Sequence, residues 1–473
     1  MEVAEGEIPV DAGRENYDFG LLPEVAWVQI MQYLQLKDRY SLSITCQALY
    51  QHFYHPSLWS NVKVNLTGGS TNFSLSNTYI PNRLVQMIDK FGHLFQKLTI
   101  KIFGHVSTFD DDSRLILTKL SEVCRLESLT LEAGKLITQF DISGFPPFKS
   151  DIQIFINFIN NAFRLKQLNI RSWPMYPALF TQNSLNIFNA IVKNEKLKDL
   201  ESLSLFWRDD SAWSEREPLL PSPRFLMTFL PDLKKLSHLA VRSPMLNEDI
   251  LTMLSSPDRC RLKLLQIYVT YSAFNQAFQI PDISSDIWKT LVLASPELEV
   301  ECSVMSQVPN PELSLLLCPD VPLKSITFLP YSRCNGQIIG SITDKFMSSL
   351  KDFICYADTS DVDIELRYLV SKCSGLRTLV FHGSIKCSTV VTMATQKSGQ
   401  WSKLEFVEKK LDTFDDEDGD DVDADEAIRR NEAGEYILVG LHRFHRHDDN
   451  REETIEQMSS VVSGVMGYKW KPV

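Results

Sequence analysis

The sequence predicts an α/β protein in which a short N-terminal helical domain precedes a solenoid of short parallel strands and outer helices. One observation behind this prediction is a dense apolar segment of about forty residues, 21–59, whose pattern is helical throughout. The other is a short leucine-containing motif that recurs eleven times between residues 95 and 406, with helical patterns between its copies. A repeat period in the twenties to thirties indicates a solenoid, in which each unit contacts only its neighbours.

Length and composition are those of a globular protein. The chain has 473 residues, of which 44% are hydrophobic and 23% charged, and it has room for two or three domains. No apolar run approaches the roughly 20 residues that a membrane-spanning helix needs. Residues 1–18 are acidic, lack the apolar core of a signal peptide, and are predicted to be disordered. We therefore expect a soluble protein with a cytoplasmic or nuclear location.

The helical domain is predicted to span residues 19–66. Pro23 suits the first position of a helix, because its missing N–H would have no partner there. Apolar faces are predicted for two helices, from Val28, Ile30, Met31 and Leu34 in the first and from Leu42, Cys46 and Leu49 in the second. Three helices of this size bury too little surface to be stable alone, so we expect another protein to cover the remainder. The alternative is a self-contained cap for the solenoid.

The solenoid is predicted to span residues 67–410. Its motif, L-x-x-L-x-L or a near variant, begins at Phe95, Leu126, Leu165, Leu200, Leu236, Leu262, Ser295, Leu323, Leu350, Leu376 and Trp401. Each copy predicts a short strand whose leucines point into the core. The early units carry insertions at 135–150 and 208–224, which are rich in Pro, Ser and Asp and are predicted to be loops. Units after residue 323 are shorter and more regular.

Helices are predicted between the strands. Four segments with apolar residues at helical spacing, 111–124, 150–163, 247–257 and 361–373, each begin at Asp, Ser or Asn. These residue types cap a helix start by accepting a backbone N–H bond. Each unit is therefore a strand, a turn and a helix.

The C-terminal part is predicted to hold a last repeat and a cap, residues 427–473. Residues 424–434 have a helical pattern, 435–441 a strand pattern and 452–466 the pattern of a closing helix. A solenoid needs such a cap because its terminal unit would otherwise expose apolar surface.

Charge is concentrated in one short segment. Ten of the fifteen residues 412–426 are acidic, so that the net charge of −12 becomes −12 + 10 = −2 for the rest of the chain. We predict a disordered acidic loop over 411–426, with attraction of a basic substrate as an alternative. A calcium-binding loop around Gly419 would place Phe414 and Asp425 where such a loop needs a ligand and a glutamate, so calcium is not expected. A nearly neutral body also gives no reason to expect nucleic-acid binding.

Metal and disulfide chemistry is not expected. The nine cysteines include no CxxC pair and are predicted to be reduced and mostly buried. The spacing of His442, His445 and His447 fits no structural zinc site. We also find no catalytic sequence motif.

The helical domain resembles a known module. Its leucine–proline start and its terminal leucine–tryptophan fall, with six residues between them, at the offsets of an F-box: Leu22, Pro23, Ile30, Met31, Leu34, Asp38, Leu42, Cys46, Leu58 and Trp59. The F-box is the adaptor-binding module of substrate receptors in Skp1–cullin–F-box ubiquitin ligases. The resemblance implies that Skp1 binds through Leu22, Pro23, Ile30, Met31, Leu34, Leu42, Cys46, Leu58 and Trp59.

The whole chain resembles F-box proteins with leucine-rich repeats, with irregular repeats in this case. The resemblance implies a non-catalytic substrate receptor, with Skp1, through it a cullin, and a protein target as partners, and with no cofactor. Three alternatives stay open from the sequence. One is a Skp1-binding scaffold that assembles no cullin ligase, and another is a non-catalytic repeat protein for protein–protein interaction. The third is an enzyme or ligand-binding protein on a repeat scaffold.

The inner surface of the solenoid is the predicted target-binding surface. Strand residues between the core leucines face this surface: Thr99, Lys101, Glu132, Arg171, Phe206, Arg242, Tyr268, Tyr356 and His382. Aromatic residues and arginine dominate the energetics of protein interfaces. We therefore predict target contacts at Arg171, Phe206, Arg242, Tyr268, Tyr356 and His382.

Overall fold

The computed structural model of the chain describes most of the predicted domains. The described residues are 22–34, 36–68, 81–104, 111–133, 149–171, 191, 193–205, 223–270, 280–305, 307–412, 429–430, 436–437 and 451–473. The predicted disordered N-terminus, residues 413–426 of the acidic run and the three histidines after residue 441 lie outside them. So do most of the two predicted loops, at 135–148 and 208–222.

Three short helices form the N-terminal domain, α1 (Glu24–Tyr33), α2 (Leu36–Ser43) and α3 (Gln47–His52), followed by a 3-10 turn at Pro56–Leu58. Pro23 is the N-cap of α1 (φ −56°, ψ 147°), so the helix begins one residue later than predicted. Its carbonyl accepts the first helical hydrogen bond, from the N–H of Ala26 at 2.9 Å. Proline suits this place because it has no N–H to leave unpaired.

Arg39 connects the ends of these elements. Its guanidinium is buried and donates to the carbonyl oxygens of Leu34 (3.1 Å), Leu58 (2.5 Å) and Gln32 (3.2 Å). The last carbonyls of a helix have no partner within the helix. A cation that binds them supplies the missing hydrogen bonds and also interacts favourably with the helix dipole. One side chain therefore fixes the end of α1 against the 3-10 turn.

The solenoid is a parallel sheet of twelve strands that stand in the order in which they occur in the chain. The strands are β1 (Asn61–Gly68), β2 (Lys97–Gly104), β3 (Ser128–Ala133), β4 (Gln167–Arg171), β5 (Ser202–Leu205), β6 (His238–Arg242), β7 (Leu264–Val269), β8 (Glu299–Val304), β9 (Leu323–Phe328), β10 (Asp352–Cys355), β11 (Thr378–Phe381) and β13 (Lys403–Phe406). All eleven strands predicted from the motif are present. β1 is additional, and it begins inside the range predicted for the helical domain.

The core lies behind this sheet, between the strands and the helices. The second leucine of the motif is in register from strand to strand, in the row Leu98, Leu129, Leu168, Leu203, Leu239 and Leu265. All of these side chains are buried. Loss of one such leucine side chain typically costs about 2–5 kcal/mol of stability, so the row ties neighbouring repeats together.

Helices connect the strands, as predicted. The longer ones are Pro81–Phe91, Asp111–Val123, Lys149–Asn161, Ser285–Ala294, Gly336–Phe346, Asp363–Lys372 and Cys387–Gln396, and the shorter ones are Pro223–Leu226, Glu248–Leu254 and Asn310–Leu316. Capping is visible at Asn247, whose side-chain oxygen accepts the N–H of Ile250 at 3.0 Å. Asn335 does the same for Ile338, also at 3.0 Å.

The C-terminal residues close the end of the sheet. The predicted closing helix is present as Arg451–Met466 and packs on Cys387–Gln396. Beyond it, Trp470 donates its indole N–H to the carbonyl of Leu404 at 2.7 Å, and the N–H of Val473 donates to the carbonyl of Phe406 at 2.8 Å. The outer edge of β13 therefore meets donors from the same chain, which protects an otherwise exposed strand edge.

The region before this helix differs from the prediction. Residues 424–434 were expected to be helical, but Arg429–Arg430 forms a two-residue strand, β15, antiparallel to β16 at Tyr436–Ile437. The predicted last strand therefore pairs in a hairpin and does not extend the main sheet. A further two-residue pair joins β12 (Ile385–Lys386) to β14 (Leu411–Asp412).

The cysteines and the helices bear on the predictions for disulfides and membrane spans. All nine cysteines are free thiols, and five of them are buried. Within the described part of the chain, no helix has the length and apolar character that crossing a membrane requires.

Candidate functional site

Trp59 joins the three-helix domain to the first repeat. Its ring is fully buried and stacks on Phe91 at 4.2 Å between centroids, with an interplanar angle of 5°. Phe53 meets it edge-on at 5.0 Å, and its indole N–H donates to the carbonyl of Phe53 at 2.9 Å. Phe91 belongs to the helix after β1, so this aromatic cluster holds the two domains against each other.

Three of the nine predicted Skp1 contacts are buried in this core. Met31, Leu58 and Trp59 are at most 1% exposed. In this structure a partner could reach these three side chains only if the domain opened, so they contribute to the packing of the domain. Contact of Met31, Leu58 and Trp59 with Skp1 stays a prediction.

The other six predicted contacts lie at or near the surface. Leu22, Pro23, Ile30 and Cys46 are exposed, whereas Leu34 and Leu42 are half-buried. Their binding to Skp1 stays a prediction.

The sequence prediction missed four apolar residues that are more exposed than most of these. They are Val25, Tyr33, Ile44 and Tyr50, with 76% of Val25 and 85% of Tyr33 exposed. Together with Leu22 and Ile30 they make six of the sixteen large exposed hydrophobic side chains found among the described residues. We call these six residues the apolar F-box surface.

The geometry of α1 places three of these six residues on one side of the helix. At about 100° per residue, Val25, Ile30 and Tyr33 fall within an arc of roughly 140°, on the side away from Val28 and Met31. Val28 and Met31 are buried against the domain core. A short helix that is apolar on both sides is expected to be covered on both sides. This two-sided pattern is the sequence signal that would have identified Val25 and Tyr33.

A polar cluster lies close to this surface. Lys90 donates to the hydroxyl of Tyr54 at 3.0 Å and lies 4.2 Å from the centre of its ring. That hydrogen bond lowers the pKa of Tyr54, and the Tyr54 hydroxyl in turn donates a short hydrogen bond to Tyr50. Glu24 is 3.8 Å from His52. The apolar surface therefore has a charged and hydroxylic border, as protein interfaces commonly do.

The predicted target-binding residues are only partly brought together. Arg242 and Tyr268 are neighbours in the strand register, but both are buried, at 2% and 7% exposure. Tyr268 packs with Ala240, Met305, Leu329 and Tyr356 in an apolar cluster that is separate from the main core. Neighbouring residues therefore cover Arg242 and Tyr268 in this structure, and target contact at these two residues stays a prediction.

Tyr356 and His382 form a half-buried group directly after the adjacent strands β10 and β11. Their rings meet edge-on at 4.7 Å, and His382 Nε2 lies 2.9 Å from Oε1 of Glu405. Burial opposes ionisation of Glu405, but hydrogen bonds from Lys403 and His382 outweigh it and hold the pKa of Glu405 below its usual value. Arg171 is the last residue of β4, and its side chain lies outside the described part. Phe206 lies outside the described residues altogether.

A cleft that the sequence did not reveal opens where the F-box meets the first repeats. Its volume is about 510 Å³, and its lining is Pro56, Ser57, Ser60, His93, Leu94, Phe95, Gln96, Arg125, Glu127 and Arg164. It lies at the edge where the strands begin. The lining is rich in side-chain hydrogen-bond donors and holds one carboxylate.

Comparisons with known proteins agree with this architecture. The family model described as F-box-like matches residues 19–65. F-box/LRR-repeat protein 21 of Bos taurus is 22% identical over 400 residues, which cover 83% of this chain and 84% of the relative. The same protein of Mus musculus is 23% identical over 396 residues, with the same coverage of each chain.

A solved structure also aligns with the chain. The crystal structure of a TLR13–ssRNA13 complex aligns with a TM-score of 0.30 and 12% identity, over 73% of this chain and 51% of the other. From the family match, the two relatives and the order of the strands, the chain consists of an F-box-like domain followed by a leucine-rich-repeat solenoid, and it is similar over most of its length to F-box/LRR-repeat proteins.

Proposed function

We propose that this chain is the substrate-recognition subunit of an SCF-type ubiquitin ligase. Its F-box binds Skp1, its solenoid binds a target protein, and ubiquitin transfer is performed by other subunits of the complex. The chain then acts by holding the target close to the conjugating enzyme, which raises the effective concentration of the target. The observation that carries the proposal is the apolar F-box surface.

The size of this surface favours a partner. Full burial of a large apolar side chain is worth about 1.5–3 kcal/mol relative to exposure. Six such side chains within residues 22–50 therefore represent a substantial unused driving force for association. A partner with a helical apolar surface of its own would use it, and the match of this domain to the F-box-like family supports Skp1 as the proposed partner.

Charges placed on this surface should abolish Skp1 binding. We expect the double variant Val25→Glu/Ile30→Glu to lose at least about 100-fold in affinity, because two desolvated apolar contacts would become buried charges. The measurement is surface-bound Skp1 titrated with the full chain, with circular dichroism to check that the variant is folded.

The matched control is Leu293→Glu/Ile364→Glu. These two residues are also highly exposed, at 80% and 72%, but they lie on helices of the solenoid. The control should bind Skp1 with unchanged affinity. Unchanged binding by the F-box variant, or an equal loss in the control, would contradict the proposal.

Ligase assembly needs a separate measurement, because Skp1 binding is also compatible with a scaffold. We expect a cullin to co-purify with the full chain through Skp1, and the Val25→Glu/Ile30→Glu variant to lose both together. Recovery of Skp1 without any cullin from cells would favour the scaffold over the ligase subunit.

A further inference from the structure

The cleft between the F-box and the first repeats combines residues from both. Ser57 and Ser60 come from the end of the F-box, and Arg125 and Arg164 come from the segments before β3 and β4. Trp59, which stacks on Phe91, lies between the two serines in the chain and is buried. The position of the cleft wall is therefore fixed by the packing that joins the domains.

The two arginines occupy equivalent places on neighbouring repeats. Ser128 of β3 pairs with Gln167 of β4, and each arginine lies three residues before its partner in that pair. Adjacent strands of a sheet are about 4.8 Å apart, so the repeat geometry places the backbones of the two arginines next to each other at one edge, and both side chains line the cleft.

Neither arginine is used inside the described part of the chain to neutralise a carboxylate. Both are exposed, and the one contact found is that of Arg164 with the ring of Phe163, at 5.7 Å. Two lysines at this edge differ in this respect, since Lys234 pairs with Asp258 at 2.6 Å and Lys235 with Asp199 at 2.7 Å. The arginine pair is thus available to an external anion.

The chemistry of the lining favours a compact, doubly charged oxyanion. Two guanidinium groups can each donate a pair of parallel hydrogen bonds to phosphate oxygens. The imidazole of His93, the amide of Gln96 and the hydroxyl of Ser57 add donors around the same space. A long polyanion such as RNA is disfavoured, because Glu127 lies in the cleft and the chain outside residues 412–426 has a net charge of −12 + 10 = −2, which gives no reason to expect an extended basic face.

We propose that this cleft binds a phosphorylated serine or threonine side chain of a target peptide, with Arg125 and Arg164 as the phosphate ligands. The proposal rests on the proposed function, because the peptide is taken to belong to the protein that the receptor captures. It assigns target recognition to the domain junction, in addition to the inner face of the sheet.

The test uses the full chain and fluorescent degenerate peptide libraries with one fixed central residue. We expect a library with central phosphoserine to bind at least tenfold more tightly, by fluorescence anisotropy, than libraries with serine or glutamate. The double variant Arg125→Gln/Arg164→Gln should lose at least tenfold in affinity for the phosphoserine library.

The matched control removes two charges elsewhere along the same edge. Lys198→Gln/Lys263→Gln changes two exposed cations outside the cleft and should bind the phosphoserine library within twofold of the unchanged chain. Equal binding of the phosphoserine and serine libraries would overturn the proposal. So would equal binding of the glutamate library, or an equal loss in the lysine control.

Skp1 binding distinguishes this proposal from the proposed function. The Arg125→Gln/Arg164→Gln variant should keep full affinity for Skp1, because its changes lie outside the apolar F-box surface. A chain that binds Skp1 but does not prefer the phosphoserine library overturns the cleft proposal alone. A chain that prefers that library but does not bind Skp1 overturns the proposed function alone.

Discussion

Replacement of Trp59 by alanine should lower the free energy of unfolding by about 3–5 kcal/mol, the usual cost of removing a large buried aromatic side chain. The ring stacks on Phe91 and Phe95 and meets Phe53 edge-on, so its loss would leave a cavity at the contact between the F-box and the first repeat. We also expect the effect to be local. Amide hydrogen exchange should rise first in α1–α3 and β1 while the later repeats stay protected, because a solenoid transmits stability only between neighbours.

Two further variants separate the contributions of Trp59. Trp59→Phe keeps an aromatic ring but loses the hydrogen bond to the carbonyl of Phe53, and it should cost much less than Trp59→Ala. Tyr33→Ala removes an aromatic residue that is 85% exposed and should change stability by less than about 0.5 kcal/mol. Urea denaturation of the three variants would rank their free energies of unfolding. A Trp59→Ala protein as stable as Tyr33→Ala would contradict the role assigned to this residue.

Replacement of Arg39 by methionine should destabilise the F-box by at least about 3 kcal/mol. Methionine fills a similar volume, but the carbonyl groups of Gln32, Leu34 and Leu58 would lose their buried donor. An unpaired buried carbonyl costs about 1–3 kcal/mol, and hydrogen bonds from a charged group are among the stronger ones. Burial lowers the pKa of Arg39, but the arginine pKa is so high that the side chain stays charged at neutral pH.

Arg39 contributes to the stability of the F-box, whereas the apolar F-box surface contributes to contact with Skp1. Binding data can separate these two contributions. Arg39→Met should weaken Skp1 binding through loss of folded F-box, so that lower temperature restores it, whereas Val25→Glu/Ile30→Glu should fail at every temperature. Arg367→Met changes an exposed arginine of the solenoid and is the matched control. Thermal unfolding followed by circular dichroism, with Skp1 affinity measured at two temperatures, would check both statements. Normal stability of Arg39→Met would contradict the role of its three hydrogen bonds.

Much of the fold follows from short-range sequence pattern. The leucine motif predicts all eleven of its strands, because a buried row of leucines requires the same spacing in each repeat. β1 is missed because Val62 and Val64 stand where the motif has leucine, although they are buried in the same way. The segment at Arg429–Arg430 is predicted as helix because its local composition favours one, but pairing with Tyr436–Ile437 decides its structure.

The candidate sites are harder to predict because they depend on contacts between distant residues. The family pattern locates the F-box, but it does not show that Met31 is buried while its neighbour Ile30 is exposed. That difference is set by the packing of α1 on α3 and on the 3-10 turn at Pro56–Leu58. Likewise, Arg125 and Arg164 are far apart in the chain and become neighbours only through the register of β3 and β4. No local pattern contains this information.

Because the strands stand in the order in which they occur in the chain, each repeat lies at its own distance from the F-box along the stack. Twelve strands give eleven steps of about 4.8 Å, or about 53 Å along the stack from β1 to β13. A ligand in the cleft beside β2–β4 would lie near the end fixed to the F-box, whereas one on β10 would lie nine steps, about 43 Å, from β1. In the proposed ligase, the repeat that a target occupies would therefore decide which of its lysines come within reach of the ubiquitin donor.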